Sequence, residues 1–199
     1  VPTPTAKGHE TRQSILDEAL QVASVVGLDG LTIGTLADRL GLSKSGLYAH
    51  FKSKDALQLA ILEHGVAYFT AIVVNPTRSI ADGVEIIRAC FDGWLEWSAR
   101  RMVGGCPFIT AMVEYDDRPG PLRDSLARVL RQWLTIIADA GRRAVASGQF
   151  RATLDVEQFA HEFNSILLGF NQLHRLLRDP DAETRAFRAL ERLLQDASP

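Results

Sequence analysis

Residues 31–55 read LTIGTLADRLGLSKSGLYAHFKSKD, and the fold is decided by what this stretch can form. Leu36, Ala37 and Leu40 fall at helical spacing and give a first short helix an apolar face. Thr32 stands where its hydroxyl can accept an orphan backbone N–H at the start of that helix. Gly41 can take the left-handed conformation that ends it at no steric cost. Leu42 is expected to return to the core and Ser43 to cap a second helix. In that helix Leu47 and Phe51 share an inward face, while Lys44 and Tyr48 share another, with Ser45 beside Lys44. Ala37 is small where the two helices must cross. The pattern is two short helices joined by a glycine turn, a helix-turn-helix, whose second helix is of the kind that lies in the DNA major groove.

The outer face of the second helix is small, polar and basic, as a groove-reading surface should be. Gly46 costs a helix about 1 kcal/mol, and makes sense where a helix approaches a DNA backbone closely. Ser53 reads as the cap of a third helix opening at Lys54 or Asp55. Lys52 and Lys54 at that helix start oppose its macrodipole, and a docked phosphate would reverse the sign. Each lysine alone could be a solvated basic turn. Together with Tyr48 and His50 they favour phosphate binding.

Leu31-Thr32, Ala37, then Gly-Leu-Ser from Gly41, Leu-Tyr-Ala-His-Phe from Leu47 and Lys-Ser-Lys from Lys52 resemble the DNA-binding domain of the TetR family of bacterial transcriptional regulators. The resemblance covers about the first third of the chain. It implies an all-α protein with an N-terminal three-helix DNA-binding domain over residues 1–54 and a C-terminal helical effector-binding and dimerisation domain over residues 55–199. The apolar stripe Ile15, Ala19, Val22, Ala23 and Val26, closed by Gly27, supplies the helix before the helix-turn-helix. Residues 1–8 hold two prolines and no apolar period, and read as an arm to which Lys7 and Arg12 would bring charge. On this reading Thr32, Tyr48, His50 and Lys54 contact phosphates and set register. Lys44 and Ser45 lie nearest base edges, and Ser43 and Gly46 complete the surface.

The net charge of −2 argues against generic nucleic-acid affinity, but its distribution softens the objection. Residues 1–54 carry six Lys/Arg against five Asp/Glu, and residues 55–199 sixteen against nineteen. Every lysine lies at or before Lys54. That suits a protein with a small local DNA patch and an acidic remainder. The two cysteines, Cys90 and Cys106, lack C-x-x-C spacing and make no disulfide framework. No run of about eighteen apolar residues is evident, so no membrane span or membrane partner is expected. No secretory leader pattern opens the chain, and a cytoplasmic location is expected.

The C-terminal part reads as helical throughout: 80–102, a short segment over 108–114, then 122–146, 155–178 and 184–194. In the fourth of these, Phe159, Phe163, Ile166, Phe170, Leu173 and Leu177 follow heptad spacing, a seam for another helix. Leu167, Leu168 and Leu176 widen the arc. The same spacing serves an ordinary core helix. The resemblance adds that the two C-terminal helices form a four-helix bundle with a second copy, so that a homodimer presents two recognition helices to a palindromic double-stranded DNA operator. It also implies an unidentified small-molecule effector that releases DNA, and repression as the usual outcome. Phe91, Trp94, Trp97, Phe108, Met112, Trp133 and Phe170 suit an apolar pocket, and any one of them suits a plain core equally.

Enzyme readings fare worse. His161-Glu-Phe-Asn-Ser165 starts like a zinc-protease helix but ends in serine where the second histidine belongs. No P-loop, G-x-G-x-x-G or nucleophile elbow is present. Glu114, Asp116 and Asp117 read as a solvated turn. Neither a cofactor nor a metal is expected. The competing non-enzyme reading is a helical homodimer that binds ligand or protein without DNA.

Overall fold

The computed structural model describes residues 6–199, with side chains from residue 12. The arm expected over 1–8 lies outside the described residues up to residue 5. Residues 6–8 already begin α1 (Ala6–Gly30), and Arg12 therefore sits within a helix rather than on an arm. Every regular element among the described residues is helical. The chain forms two compact units: the first takes the residues up to Tyr68 and Met102–Leu126, the second Phe69–Arg101 and Ala127–Pro199.

In the first unit, α1 is broken at Gly27, whose φ of 79° turns the chain toward α2 (Ile33–Leu40). α2 starts with a full capping box: Thr35 N donates to Thr32 Oγ1 at 3.1 Å, and Thr32 N to Thr35 Oγ1 at 3.2 Å. It ends at Gly41, left-handed at φ 64°, ψ 27°. α3 (Lys44–Phe51) is capped by Ser43 Oγ, which accepts from Gly46 N at 3.0 Å. α4 (Lys54–Phe69) is capped by Ser53 Oγ, which accepts from Ala56 N at 3.1 Å. Ile15, Ala19, Leu36, Ala37, Leu47, Phe51 and Leu57 are buried together as the apolar spacing requires. Leu42 does not return to the core. It stays 37 % exposed, because the left-handed Gly41 sends the chain outward before Ser43 starts α3.

α6 (Pro107–Tyr115) lies against α1 in the same unit. The loop leading to α6 approaches α1 without space for a side chain: a Cβ on Gly104 would lie 1.8 Å from the Ser24 carbonyl oxygen. Gly104 N donates to Ser24 Oγ at 2.8 Å and Val103 N to Gln21 Oε1 at 3.1 Å, fastening the loop there.

Residues 54–79 form one continuous helical run, long and apolar enough to cross a membrane by length and composition. This qualifies the expectation of no such run. Within the first unit Leu57, Ala60, Ile61 and Leu62 of this run are buried, so its apolar side covers a protein core.

The second unit is built from α5 (Gly83–Leu95), most of α7 (Pro121–Ala146), α8 (Val156–Gln172) and α9 (Ala182–Ala197). α5 starts later than the apolar pattern from Ile80 suggests, because Asp82 caps it, accepting from Glu85 N at 2.9 Å. Asp155 caps α8 in the same way through Glu157 N and Gln158 N. Widened π turns follow α4, α5 and α8, at Thr70–Val74, Glu96–Arg101 and Leu173–Leu177. Aromatic rings meet through the interior, most of them edge to face. Phe69 touches Trp97 and Trp133 at centroid distances of 5.5 and 5.4 Å. Phe163 meets Trp133 at 6.1 Å and Phe91 at 6.0 Å. Ion pairs Arg88–Glu191 and Arg100–Glu183 tie α5 and its π turn to α9.

Burial pushes the Cys90 thiol up to about 12, so almost no thiolate forms near neutral pH. Iodoacetamide at pH 8 is expected to leave Cys90 unlabelled in the folded chain and to label it in 8 M urea. Peptide mass mapping reads the difference, and rapid labelling of the folded chain would contradict this burial.

Candidate nucleic-acid interface

α3 is held by its inward side and offers its outward side to solvent. Leu47 and Phe51 are buried, whereas Lys44, Ser45 and Tyr48 are exposed, Tyr48 by 52 %. A helix fixed from behind loses little entropy in presenting those side chains. Ser43 is occupied as the cap, and its hydroxyl also meets Ser45 Oγ at 3.1 Å. Gly46 has a local structural reason besides the one read from the sequence: a Cβ there would press on the capping hydroxyl at 3.1 Å.

Lys44 lies back toward the start of α2. A Cβ on Gly34 would lie 3.6 Å from Lys44 Nζ and 3.7 Å from Thr32 Oγ1. Thr32, Gly34 and Lys44 are thus gathered at one helix N-terminus, where free backbone N–H groups and an ammonium suit a phosphate. Gly34 is not among the interface residues that the sequence predicts. The available signal was a glycine in the first turn of a strongly amphipathic helix.

His50 is half-buried in the last turn of α3, its ring 6.2 Å from that of Phe51. Arg12 places its guanidinium over the Phe51 ring, 5.1 Å from the centroid. Lys52 caps α3 with φ 58°, its N–H donating to Tyr48 O at 2.9 Å. Lys54 is not simply solvated: Nζ donates to Asp29 O at 2.7 Å and to Asp29 Oδ1 at 3.2 Å. The dipole cost of a cation at the start of α4 is therefore offset by a carboxylate from the end of α1, beyond its break at Gly27.

The aromatic residues read as pocket candidates divide between the units. Phe91, Trp94, Trp97, Trp133 and Phe170 are buried in the second, where Trp94 meets Phe170 at 6.1 Å. Phe108 and Met112 belong to α6 of the first. Ser98 Oγ and Asn171 Oδ1, both in the second unit, have no hydrogen-bond partner among the described residues. Such buried polar atoms are ones a ligand could satisfy. A separate cleft of about 510 Å³ on the first unit is lined by Ser14, Asp17, Glu18, Leu20, Gln21, Leu40 and Tyr68, none of them a pocket candidate from the sequence.

The heptad seam of α8 splits. Phe159, Phe163 and Phe170 are at most 2 % exposed and pack inside the protomer. Ile166 and Leu173 are half-buried. Leu177 is exposed, as are Leu168, Leu176 and, on α9, Phe187. Phe159, Phe163 and Phe170 lie in the regular part of α8 and face this chain's own core, the second use that the same spacing allows, while the π turn at Leu173–Leu177 shifts only the last two seam positions.

A capped helix-turn-helix in one unit, joined to a second all-helical unit, is the layout of a helix-turn-helix protein with an added helical body. The pattern described as bacterial regulatory proteins, tetR family, matches residues 15–61, and that of the tetracyclin repressor-like C-terminal domain matches residues 83–190. The chain belongs to the TetR family of transcriptional regulators. It is 30 % identical over 106 residues to the tetracycline repressor protein class C of Escherichia coli, a match over 53 % of this chain and 41 % of that one. The match thus spans about two fifths of that repressor's length. A TetR transcriptional regulator of Chloroflexus aurantiacus has a similar structure, with a TM-score of 0.84 and 28 % identity over 96 % of each chain. AibR, solved in complex with isovaleryl coenzyme A and operator DNA, shares the fold with a TM-score of 0.71 at 22 % identity, over 92 % of this chain and 97 % of that one.

Proposed function

We propose that this regulator is a repressor that binds a palindromic operator as a homodimer and leaves it when a small-molecule effector binds. The residues to Lys54 act as the DNA-binding head and 55–199 as the effector-binding and dimerising body, in the cytoplasm. The observation that carries the reading is the outward face of α3: Lys44, Ser45 and Tyr48 exposed on a helix whose other side is locked by Leu47 and Phe51. In a dimer two such helices read half-sites about 34–36 Å apart. Leu168, Leu176 and Leu177 offer an apolar surface for the partner, continuous in sequence with the half-buried Ile166 and Leu173. An effector weakens operator binding only by favouring a body conformation whose heads are wrongly spaced. AibR, with both an acyl-coenzyme A and DNA bound, is an instance of this fold holding two such ligands.

Selection of bound sequences from a random duplex pool tests the reading. A palindrome is the expected product, and Tyr48→Ala or Lys44→Ala should abolish its enrichment. Failure to enrich any duplex would leave the homodimeric module without DNA binding as the better account.

A further inference from the structure

The turn at Leu28 and Asp29 is gripped from two directions. Glu114 of α6 accepts from Leu28 N at 2.9 Å and Asp29 N at 3.3 Å. The buried Gln58 of α4 donates to Leu28 O and to the Tyr115 hydroxyl, each at 2.8 Å. These contacts fix where the Asp29 carboxylate stands. Its two oxygens then take different cations: Oδ1 meets Lys54 Nζ at 3.2 Å, and Oδ2 meets Arg118 Nη1 at 3.0 Å. Arg118 is itself seated over the Tyr115 ring at 5.3 Å, in the turn between α6 and α7.

From this geometry we infer that Arg118 is a positioning residue for DNA binding, which keeps Lys54 available to a phosphate by sharing the Asp29 carboxylate. The inference rests on the DNA-binding reading above and adds a means of regulation to it. One carboxylate between two cations leaves one positive charge at the start of α4. With Arg118 withdrawn, Asp29 and Lys54 close into a neutral pair, and a phosphate must compete with the carboxylate for the ammonium. An ammonium has three donors, and Asp29 occupies two of them, so the third remains for DNA. Both cations hold the Asp29 carboxyl below its usual range, as a shared acceptor requires. Because Arg118 sits in the α6–α7 turn, any effector-driven movement of that turn acts on the head through this charge, with no contact between effector and DNA.

The test is a double-mutant cycle on the full chain, with a duplex recovered in the selection above and affinity measured across a salt series. Loss of one effective phosphate contact lowers the salt slope by about 0.9 and affinity about fivefold at 0.15 M salt. Arg118→Gln should show that loss and Arg118→Lys should restore binding. Asp29→Asn, which keeps the acceptor shape and frees Lys54 outright, should bind within about twofold of the wild type or tighter. In the Asp29→Asn background, Arg118→Gln should change affinity less than about twofold, because the carboxylate through which Arg118 acts is gone. A merely structural role would lower the melting temperature and leave the salt slope alone. An undiminished loss in that same Asp29→Asn background would mean that Arg118 touches phosphate itself, and would overturn the inference. So would an Asp29→Asn variant that loses affinity as Arg118→Gln does. A wild-type chain that binds no duplex at low salt would instead remove the DNA-binding reading.

Discussion

Replacing Phe163 by alanine is expected to cost the protomer about 3–5 kcal/mol, the usual range for truncating a fully buried aromatic side chain. Phe163 is fully buried and touches both Trp133 and Phe91, so its loss opens a cavity bounded by rings on α7 and α5. Those rings cannot collapse into the gap together, because Trp133 also supports Phe69 and Phe91 also supports Phe187. Urea denaturation should show the loss as a lower midpoint. Leu177→Ser should behave in the opposite way. Leu177 is 64 % exposed, so the stability of the chain should stay within about 0.5 kcal/mol, while sedimentation should show the proposed dimer weakened. If Phe163→Ala dissociated the dimer and spared the protomer, the heptad spacing would have described the interface correctly after all.

Gly104→Ala is expected to destabilise by about 3 kcal/mol, at the upper end for an added methyl group. The obstacle is backbone: the new Cβ would sit 1.8 Å from Ser24 O and 2.4 Å from Val25 N, and no rotamer change can move either atom. The loop must lift from α1, and the bonds from Gly104 N to Ser24 Oγ and from Val103 N to Gln21 Oε1 go with it. The fall in melting temperature should approach about 10 °C for a chain of this size. Faster amide exchange should be confined at first to Val103 and Gly104. A variant as stable as the parent would mean that the loop does not approach α1 this closely.

Much of the helix-turn-helix is legible in the sequence. Thr32, Gly41, Ser43 and Ser53 act within a few residues of themselves, so their chemistry predicts the caps and the turn directly. The inward pairs Leu36–Ala37 and Leu47–Phe51 follow from helical period alone. Leu42 is exposed against the expectation from its residue type, because residue type says nothing of the direction in which a left-handed glycine sends the chain. On α8 the heptad spacing does not say whether its apolar side meets this chain's own core or a second copy, and Phe159, Phe163 and Phe170 are buried in the core.

The sequence by itself determined an all-helical chain, the two short helices around Gly41, and the exposure of Lys44, Ser45 and Tyr48 on one face. These depend on backbone hydrogen bonds and side-chain periods that span less than two turns. Only the tertiary structure decided that α6 packs beside α1, that Glu114 holds the Leu28–Asp29 turn, and that Arg118 and Lys54 divide one carboxylate. Residues 29 and 118 meet because an apolar face on α1 and one on α6 exclude water from each other, and such burial has no directional code in sequence. Two charges act most strongly on one another at a separation of a few ångströms, and that separation is set by the packing of helices far apart in the chain.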